Sequence, residues 1–260
     1  MTIAFIGAGN MGEAILAGLY RKYSCVVCDA RADRRAYLKK KYRCSFAQTP
    51  ALAAAAADVV LLAVKPQDLP VALADIKGVV KRQLFISIAA GITASFIEKA
   101  LGVKVRVVRT MPNLPAMIGE GVTGVAGGRH ATAQDLKQAC DILGAVGPVI
   151  TVPEKMINAV TAVSGSGPAY VFLFVECMMN AARKLGFSEK EAKALVYQTL
   201  LGSAHMLAKS EDSAEALRQK VTSKGGTTQA ATDVFMDKDI FGMFLAAMKA
   251  ARTRAAELAK

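Results

Sequence analysis

Three glycines near the start of the chain form the motif whose spacing points most directly to chemistry. They lie in Ile6-Gly7-Ala8-Gly9-Asn10-Met11-Gly12, between the apolar run Thr2–Ile6 and a helical pattern. In that context a GxGxxG is typical of a dinucleotide site: Gly7 permits the tight turn, Gly9 admits a pyrophosphate to the backbone and Gly12 allows close helix packing. The N–H groups and dipole of the helix would bind the phosphates. The alternative is an ordinary glycine-rich turn.

Charged residues after the second apolar run bear on which dinucleotide would bind. Asp29 follows Cys25–Cys28, and an acidic residue at this position usually accepts hydrogen bonds from the ribose of NAD. Arg31, with Arg34 or Arg35 assisting, would instead bind the 2′-phosphate of NADP, unless the arginines only form a solvated helix face. We expect NADP(H) as the cofactor, with NAD(H) as the alternative.

Three later segments end where strands of a parallel sheet would end, which is where such sheets bind ligands. They are Val64-Lys65-Pro66, Ala89-Ala90-Gly91 and Met111-Pro112-Asn113. The small residues around Ala90 would let a flat nicotinamide approach the backbone. Lys65 is a candidate catalytic residue because it could place a positive charge near the cofactor; the alternative is a solvated loop lysine.

Two further loops are dense in small residues. The segment 222–228, Thr-Ser-Lys-Gly-Gly-Thr-Thr, combines hydroxyls, two glycines and a helix start, so its N–H groups could bind a carboxylate. Helix N-capping beside a flexible loop is the alternative. The segment Ser164–Pro168 indicates a loop before a buried helix.

Acid–base and metal-binding side chains are scarce. His130 and His205 are the only histidines, and neither has the spacing of a catalytic triad. Such a chain suits a reaction that needs little proton abstraction, for example reduction of an imine that is already protonated. Cys25 and Cys28 form a CxxC within a strand pattern and have no second pair, so we expect no metal. The five scattered cysteines favour a reducing compartment.

Hydrophobic periodicity divides the chain into an α/β half and an all-α half. Predicted strands alternate with helices at first, which indicates a Rossmann-type parallel sheet in residues 1–152. The strands are Thr2–Ile6, Cys25–Cys28, Val59–Val64, Leu84–Ile88 and Val103–Arg109; the helices are Met11–Lys22, Ala32–Tyr42 and Ala51–Ala57. Residues 153–260 carry helical patterns only, at Ala169–Leu185, Ser188–Lys209 and Ile240–Leu258.

The first of these later helices, Ala169–Leu185, is apolar nearly all round, which predicts burial from every side and a partner subunit. The twenty uncharged residues Met156–Val175 have the length of a membrane span, but Asn158, Thr161 and the Ser-Gly-Ser-Gly-Pro segment argue against one. With no signal peptide pattern at the start, we predict a cytoplasmic protein that does not contact a membrane.

The formal net charge of +12 raises nucleic-acid binding as a hypothesis. The basic residues come in short groups among acidic and neutral stretches, without a basic tail or interleaved aromatics. We therefore expect no nucleic-acid partner; the charge also suits an anionic cofactor and an anionic substrate.

These motifs together resemble those of pyrroline-5-carboxylate reductases along nearly the whole chain. The resemblance rests on residues 5–12, 63–66, 87–91, 109–113, 164–170 and 225–228. It implies that Ala8, Asn10 and Met11 contact the cofactor phosphates, that Val64, Lys65 and Ala90 lie nearer the ribose and nicotinamide, and that Arg31 contacts the 2′-phosphate. It also implies an interlocked homodimer, and a larger ring of dimers.

For the substrate, the resemblance implies a site for the carboxylate and ring nitrogen of pyrroline-5-carboxylate, made by Glu211, Ser223, Gly225, Gly226, Thr227 and Thr228. Thr228 is the second candidate catalytic residue, because a hydroxyl can follow the change from iminium to amine. The expected activity is NAD(P)H-dependent reduction of this imine to L-proline.

The sequence departs from the family pattern at three positions. Lys224 stands where the family usually has proline, which adds a charge near the carboxylate site, while Thr110 replaces a small or hydrophobic residue. Asp29 is less common than a neutral residue there. One alternative function is reduction of another cyclic imine or a 3-hydroxy acid, although Ala169–Ala182 lacks the lysine expected for the latter. A non-enzymatic NADP-sensing or nucleic-acid-binding protein is the other.

Overall fold

The computed structural model describes residues 1–102 and 104–258, and these form two compact units. The first unit is Met1–Pro168 together with the C-terminal segment that begins at Ala250, and the second is Ala169–Lys249. This division by compactness falls at Pro168. The domain boundary after residue 152, which was drawn from the change in sequence pattern, stays a prediction.

The first unit is built on an eight-stranded sheet. Its strands lie in the order β3-β2-β1-β4-β5-β6-β7-β8, and all neighbours are parallel except β6 and β7. The strands are β1 (Thr2–Ile6), β2 (Ser24–Cys28), β3 (Ser45–Phe46), β4 (Val59–Leu62), β5 (Leu84–Ser87), β6 (Arg106–Met111), β7 (Thr123–Gly127) and β8 (Val149–Thr151). Strands β4 and β5 are buried throughout, which explains their continuous apolar runs.

Helices cover both faces of this sheet and enclose one apolar cluster on each side. They are α1 (Asn10–Leu19), α2 (Ala32–Lys41), α3 (Pro50–Ala55), α4 (Leu69–Ile76), α5 (Ala94–Leu101), α6 (Ala133–Leu143) and α7 (Ile157–Val160). Threonine side chains cap three of them, where Thr49, Thr93 and Thr132 accept a backbone N–H of the first turn. The predicted Rossmann-type fold is therefore confirmed.

The sheet departs from the predicted, wholly parallel arrangement at one place. Strand β7 runs antiparallel to β6 because the chain returns after a short 3₁₀ turn, Leu114–Ile118, without a crossover helix. The predicted strand Val103–Arg109 is shifted to Arg106–Met111; its first residue, Val103, lies outside the described residues. Helices α4, α5 and α6 and strands β3, β7 and β8 had no prediction.

The segment around Ser164 is helical, so the predicted loop there is wrong. Residues Thr161–Gly165 form a π-helical turn that follows α7 directly. The hydroxyls of Thr161 and Ser164 donate to carbonyl oxygens four residues earlier, at 2.9 and 3.1 Å. A side chain at Gly165 would collide with Met111, because an added Cβ would lie 2.6 Å from its Cε. The small residues therefore allow the helix to run close to the end of β6.

The second unit is wholly helical, as predicted for this part of the chain. Its elements are the body of α8 (Gly167–Lys184), α9 (Glu189–Lys209), α10 (Ala214–Lys220), α11 (Thr227–Asp237) and most of α12 (Ile240–Glu257). Helix α8 was expected to be buried on every side, but within the single chain it has no buried residue. Val171, Phe172, Leu173 and Phe174 are all about half exposed. The single chain therefore does not bury α8. A partner that covers this face would bury it.

One helical stretch in the described part of the chain, Glu154–Lys184, is long and apolar enough by length and composition to cross a membrane. The core helices of soluble proteins pass the same test. Of the 18 most apolar consecutive residues in this stretch, only 6% are buried within the chain.

Candidate functional site

In the glycine loop between β1 and α1, a side chain would collide with the backbone at two of the three glycines and would meet open space at the third. Gly7 has φ +86°, and an added Cβ would lie 2.8 Å from the Ala63 carbonyl group. At Gly12 an added Cβ would lie 2.9 Å from the Gly7 carbonyl oxygen. At Gly9 an added Cβ would have no neighbouring atom within 4 Å. Gly7 and Gly12 are therefore required by the turn and the packing, whereas Gly9 faces space that a ligand can fill.

Helix α1 begins at this open glycine. Gly9 is its N-cap and supplies no side-chain hydrogen bond. Across residues 1–102 and 104–258 no protein group accepts from the N–H groups of Asn10, Met11 and Gly12. Uncapped N–H groups at the positive end of a helix favour an anion, so the loop fits the pyrophosphate of a dinucleotide.

Asp29, directly after β2, is tied into the glycine loop. One oxygen of its carboxylate accepts the Ala8 N–H at 2.9 Å, and the other accepts the Arg31 N–H at 2.9 Å. The side chain is almost fully buried. Asp29 therefore holds the loop against the end of β2, while its role toward the ribose stays a prediction.

The three arginines after β2 differ in what they contact. The Arg31 side chain is 59% exposed, with its Nε 3.5 Å from the Asp29 carboxylate. Arg34 instead bonds the Ala8 and Gly9 carbonyl oxygens and Glu13. Arg35 donates to the carbonyl oxygens of Asp29 and Ala30, at 2.7 and 2.9 Å. Arg31 therefore presents a mainly exposed side chain, whereas that of Arg34 is 15% exposed; the assistance expected from Arg34 or Arg35 stays a prediction.

Glu13 is the centre of a polar cluster that sequence reasoning missed. Its carboxylate accepts hydrogen bonds from Lys41 and Tyr42 at 2.9 Å and pairs with Arg34. Burial acts to raise the pKa of Glu13, but the hydrogen bonds from Lys41, Tyr42 and Arg34 outweigh it and leave that pKa lowered. The available signal was helical spacing, since Arg34 and Lys41 lie seven residues apart on one face of α2.

The other predicted cofactor residues lie at the same edge of the sheet. Ile6, Leu62 and Ser87 are in register, so the segments after β1, β4 and β5 leave this edge together. Lys65 and Ala90 follow β4 and β5 and are exposed. The structure thus gathers the glycine loop, Val64-Lys65 and Ala90 at the edge where a parallel sheet binds ligands.

The loop before α11 contains a second uncapped helix N-terminus. Gly225 has φ +72°, and its N–H donates to the Gln229 side chain at 2.7 Å. The Gly226 N–H donates to the Ser223 carbonyl oxygen at 3.0 Å, and Gly226 is an N-cap without a side-chain bond. No partner for the N–H groups of Thr227 and Thr228 occurs in the described ranges. These two groups suit a carboxylate.

Two further positions that the sequence singled out are exposed. Lys224 lies in the loop itself, and Glu211 lies in the connection between α9 and α10. In that connection the neighbouring Asp212 accepts hydrogen bonds from Lys220 and Ser210, and these bonds lower the pKa of Asp212. Since Lys220 is the last residue of α10, its bond joins the C-terminal end of that helix to the segment before it.

The cysteine pair does not form a site. Cys25 and Cys28 belong to different apolar clusters, on opposite faces of the sheet. Burial, with a smaller contribution from Cys44, raises the pKa of Cys25 to about 12, so it is a neutral thiol at physiological pH. No group of three or more potential metal ligands occurs in the part of the chain that the structure describes.

The fold and the open glycine loop define a protein with a Rossmann-type nucleotide-binding unit. Residues 2–91 match the family model described as NADP oxidoreductase, coenzyme F420-dependent. Residues 154–258 match the model for pyrroline-5-carboxylate reductase dimerisation. Because curated pyrroline-5-carboxylate reductases also match 98–99% of the chain at 38–40% identity, the chain belongs to the pyrroline-5-carboxylate reductase family.

Relatives over the full length agree with this assignment. A pyrroline-5-carboxylate reductase from Pseudomonas aeruginosa is 40% identical, over 99% of this chain and 97% of the relative. A solved pyrroline-5-carboxylate reductase from Coxiella burnetii has a TM-score of 0.93 at 39% identity, covering 99% of this chain and 98% of that one. A pyrroline carboxylate reductase from Plasmodium falciparum, solved with NADP bound, has a TM-score of 0.89 at 28% identity and covers 100% of this chain and 98% of that one.

These matches confirm the predicted family, fold class and NADP-type oxidoreductase domain. They also show that the helical part of the chain contains a dimerisation domain. The roles of single residues at the cofactor and substrate loops remain predictions.

Proposed function

We propose that this protein reduces 1-pyrroline-5-carboxylate to L-proline with NADPH, the last step of proline biosynthesis. The observation that carries the proposal is that α1 and α11 both begin at a glycine without a side-chain cap. The first N-terminus suits a pyrophosphate and the second suits a carboxylate. The names of the full-length relatives support this choice of substrate.

The cofactor is assigned to the glycine-loop edge of the first unit. Gly7, Gly9 and Gly12 shape the loop, and the N–H groups of Asn10 and Met11 bind the pyrophosphate beside Ala8. Arg31 binds the 2′-phosphate with its exposed guanidinium. Asp29 borders the ribose. Val64, Lys65 and Ala90 lie toward the ribose and nicotinamide, where Lys65 contributes positive charge.

The substrate is assigned to the loop of residues 223–228. Because Gly225 and Gly226 already use their N–H groups within the loop, the carboxylate is held by the N–H groups of Thr227 and Thr228. Ser223 and Glu211 complete this site. The Thr228 hydroxyl accepts a hydrogen bond from the iminium N–H, and it can donate to the amine that forms.

When bound, NADPH supplies the hydride that converts the C=N bond to CH–NH. The residues of this chain position that carbon and need not abstract a proton, because the imine nitrogen is protonated beforehand. This agrees with the small number of histidines and with their positions, in a turn after β7 for His130 and within α9 for His205. Fixing the reacting atoms at short distance is the main catalytic contribution in this scheme.

For the assembly, we infer a homodimer through the helices of residues 154–258, and a ring built from such dimers. The exposed apolar side chains of α8 support this arrangement, since contiguous apolar surface of this kind marks an interface. The same surface explains the membrane-like hydropathy of Glu154–Lys184 without a membrane. We therefore place the protein in the cytoplasm.

The test is oxidation of NADPH and of NADH by the purified full-length protein with pyrroline-5-carboxylate. Substrate-dependent oxidation that is faster with NADPH is expected. Another cyclic imine and a 3-hydroxy acid serve as competing substrates. If neither cofactor is oxidised with pyrroline-5-carboxylate, or if the competing substrates are turned over faster, the proposal is wrong.

A further inference from the structure

The guanidinium of Arg34 is already engaged in contacts within the protein. Its Nε donates to the Ala8 carbonyl oxygen at 2.6 Å, and its Nη2 reaches the Gly9 carbonyl oxygen at 3.4 Å. The same guanidinium pairs with the Glu13 carboxylate, and both side chains are only 15% exposed. One cation therefore connects α2, α1 and the glycine loop between β1 and α1.

These two carbonyl groups belong to the peptide groups that carry the N–H groups of Gly9 and Asn10, at the start of the row of N–H groups assigned to the pyrophosphate. A trans peptide is planar, so its C=O and the following N–H point in opposite directions. Holding the Ala8 carbonyl fixes the direction of the Gly9 N–H. The Gly9 carbonyl, which sets the direction of the Asn10 N–H, accepts the Glu13 N–H at 2.8 Å as well as the longer contact from Arg34. Arg34 thus holds the Ala8 oxygen and so directs the Gly9 N–H away from its guanidinium, and it adds a second contact to the Gly9 oxygen.

The Glu13 carboxylate that pairs with Arg34 is itself held by further hydrogen bonds. The Glu13 carboxylate also accepts hydrogen bonds from Lys41 and from the Tyr42 hydroxyl at 2.9 Å, and from the Tyr37 hydroxyl at 3.3 Å. These bonds hold Glu13 in one place and compensate its partial burial. Arg34 therefore has a rigid anionic partner and little freedom to turn toward a 2′-phosphate.

We propose that Arg34, held by Glu13, is a positioning residue that orients the glycine loop for the pyrophosphate. The inference rests on the proposed NADP(H) site and assigns different roles to Arg34 and Arg31 within it. Arg34 serves NADPH and NADH alike, because both carry the pyrophosphate. Arg31, whose guanidinium is exposed, distinguishes the two cofactors.

The test measures the Kd of NADPH and of NADH for full-length Arg34→Gln by fluorescence titration without substrate. Both Kd values should rise in parallel by about tenfold, as expected for a lost charge-assisted contact, while their ratio stays constant. Turnover at saturating cofactor should change by less than about twofold, because the interaction acts on binding and not on the transition state. Lys40→Gln, which removes the same charge from an exposed site on α2, should leave both affinities unchanged.

Two results for Arg34→Gln overturn the proposal. A selective loss of NADPH affinity in Arg34→Gln would make Arg34 a ligand of the 2′-phosphate. Unchanged affinities for both cofactors would show that its bonds to the loop have no effect on binding. If Arg34→Gln does not fold, Glu13→Gln keeps the arginine but removes the charge that holds it; a parallel, smaller rise in both Kd values is expected there, and wild-type affinities refute the proposal. Because these titrations contain no substrate, their outcome is independent of whether the protein reduces pyrroline-5-carboxylate.

Discussion

Arg31 is the arginine after β2 whose guanidinium stays exposed, and this predicts which cofactor it serves. Replacing it with alanine removes the side chain that would bind the 2′-phosphate. We expect Arg31→Ala to raise the Kd of NADPH by about ten- to a hundredfold, and that of NADH by less than about twofold. Titration of both cofactors measures this. Equal losses for NADPH and NADH would contradict the role of Arg31.

Thr228 lies in the first turn of α11, and its hydroxyl is the group assigned to the imine nitrogen. Thr228→Val keeps the shape of the side chain and removes the hydroxyl. We expect kcat to fall by about ten- to a thousandfold, as for other lost polar contacts at a reacting centre. The Kd of NADPH should be unchanged. Near-normal turnover would limit this loop to binding the carboxylate.

At the residue scale, the sequence predicts local chemistry better than contacts between elements. The spacing of Gly7, Gly9 and Gly12 is a local pattern, and the loop they form has the expected shape. The contacts of Arg34 depend on how α2 packs against α1, which no short motif encodes. For that reason Arg34 was grouped with Arg31 in the sequence, although the two contact different partners.

At the scale of elements, two glycines of one turn should respond differently to the same substitution. Gly7→Ala places a Cβ against the Ala63 carbonyl at φ +86°, so we expect a loss of about 1–3 kcal/mol in the free energy of unfolding. Gly9→Ala meets no protein atom within 4 Å, and the backbone there is extended, with φ −63° and ψ −169°. It should leave stability unchanged and weaken NADPH binding. Chemical denaturation and cofactor titration separate these effects, and equal destabilisation by both substitutions would contradict the geometry.

Elements with a strong period were predictable, and those fixed by packing were not. Strands β1 and β4 are continuous apolar runs and appear where the pattern placed them. The segment Ser164–Pro168 was predicted as a loop, because serine and glycine usually interrupt helices, yet Ser164 and Gly165 belong to the π-helical turn Thr161–Gly165. Here the hydroxyls bond to the helix backbone, and Gly165 makes room for Met111.

At the scale of the whole molecule, the exposed face of α8 predicts an obligate oligomer. Phe172 is 53% exposed in the single chain. Phe172→Asp should dissociate the full-length protein into monomers, since a buried unpaired charge at an interface is strongly unfavourable. Val71→Asp, on the exposed face of α4, is the matched control and should keep the wild-type mass. Sedimentation velocity measures both, and a well-folded wild-type monomer would refute this assembly.

The class of fold was readable from the alternation of strands and helices, whereas the state of α8 was not. An all-apolar helix predicts that something covers it, but a single sequence does not say whether the cover comes from the same chain. In the structure α8 has no buried residue, and we propose that another subunit supplies the cover. The dimerisation match of residues 154–258 agrees with this.

The most direct test of the proposed activity follows the transferred hydride itself. The protein is incubated with pyrroline-5-carboxylate and NADPH deuterated at the transferable C4 position, and the product is analysed by mass spectrometry. The account predicts L-proline with one deuterium, at the carbon that belonged to the C=N bond. Unlabelled proline, or consumption of NADPH without formation of proline, would contradict it.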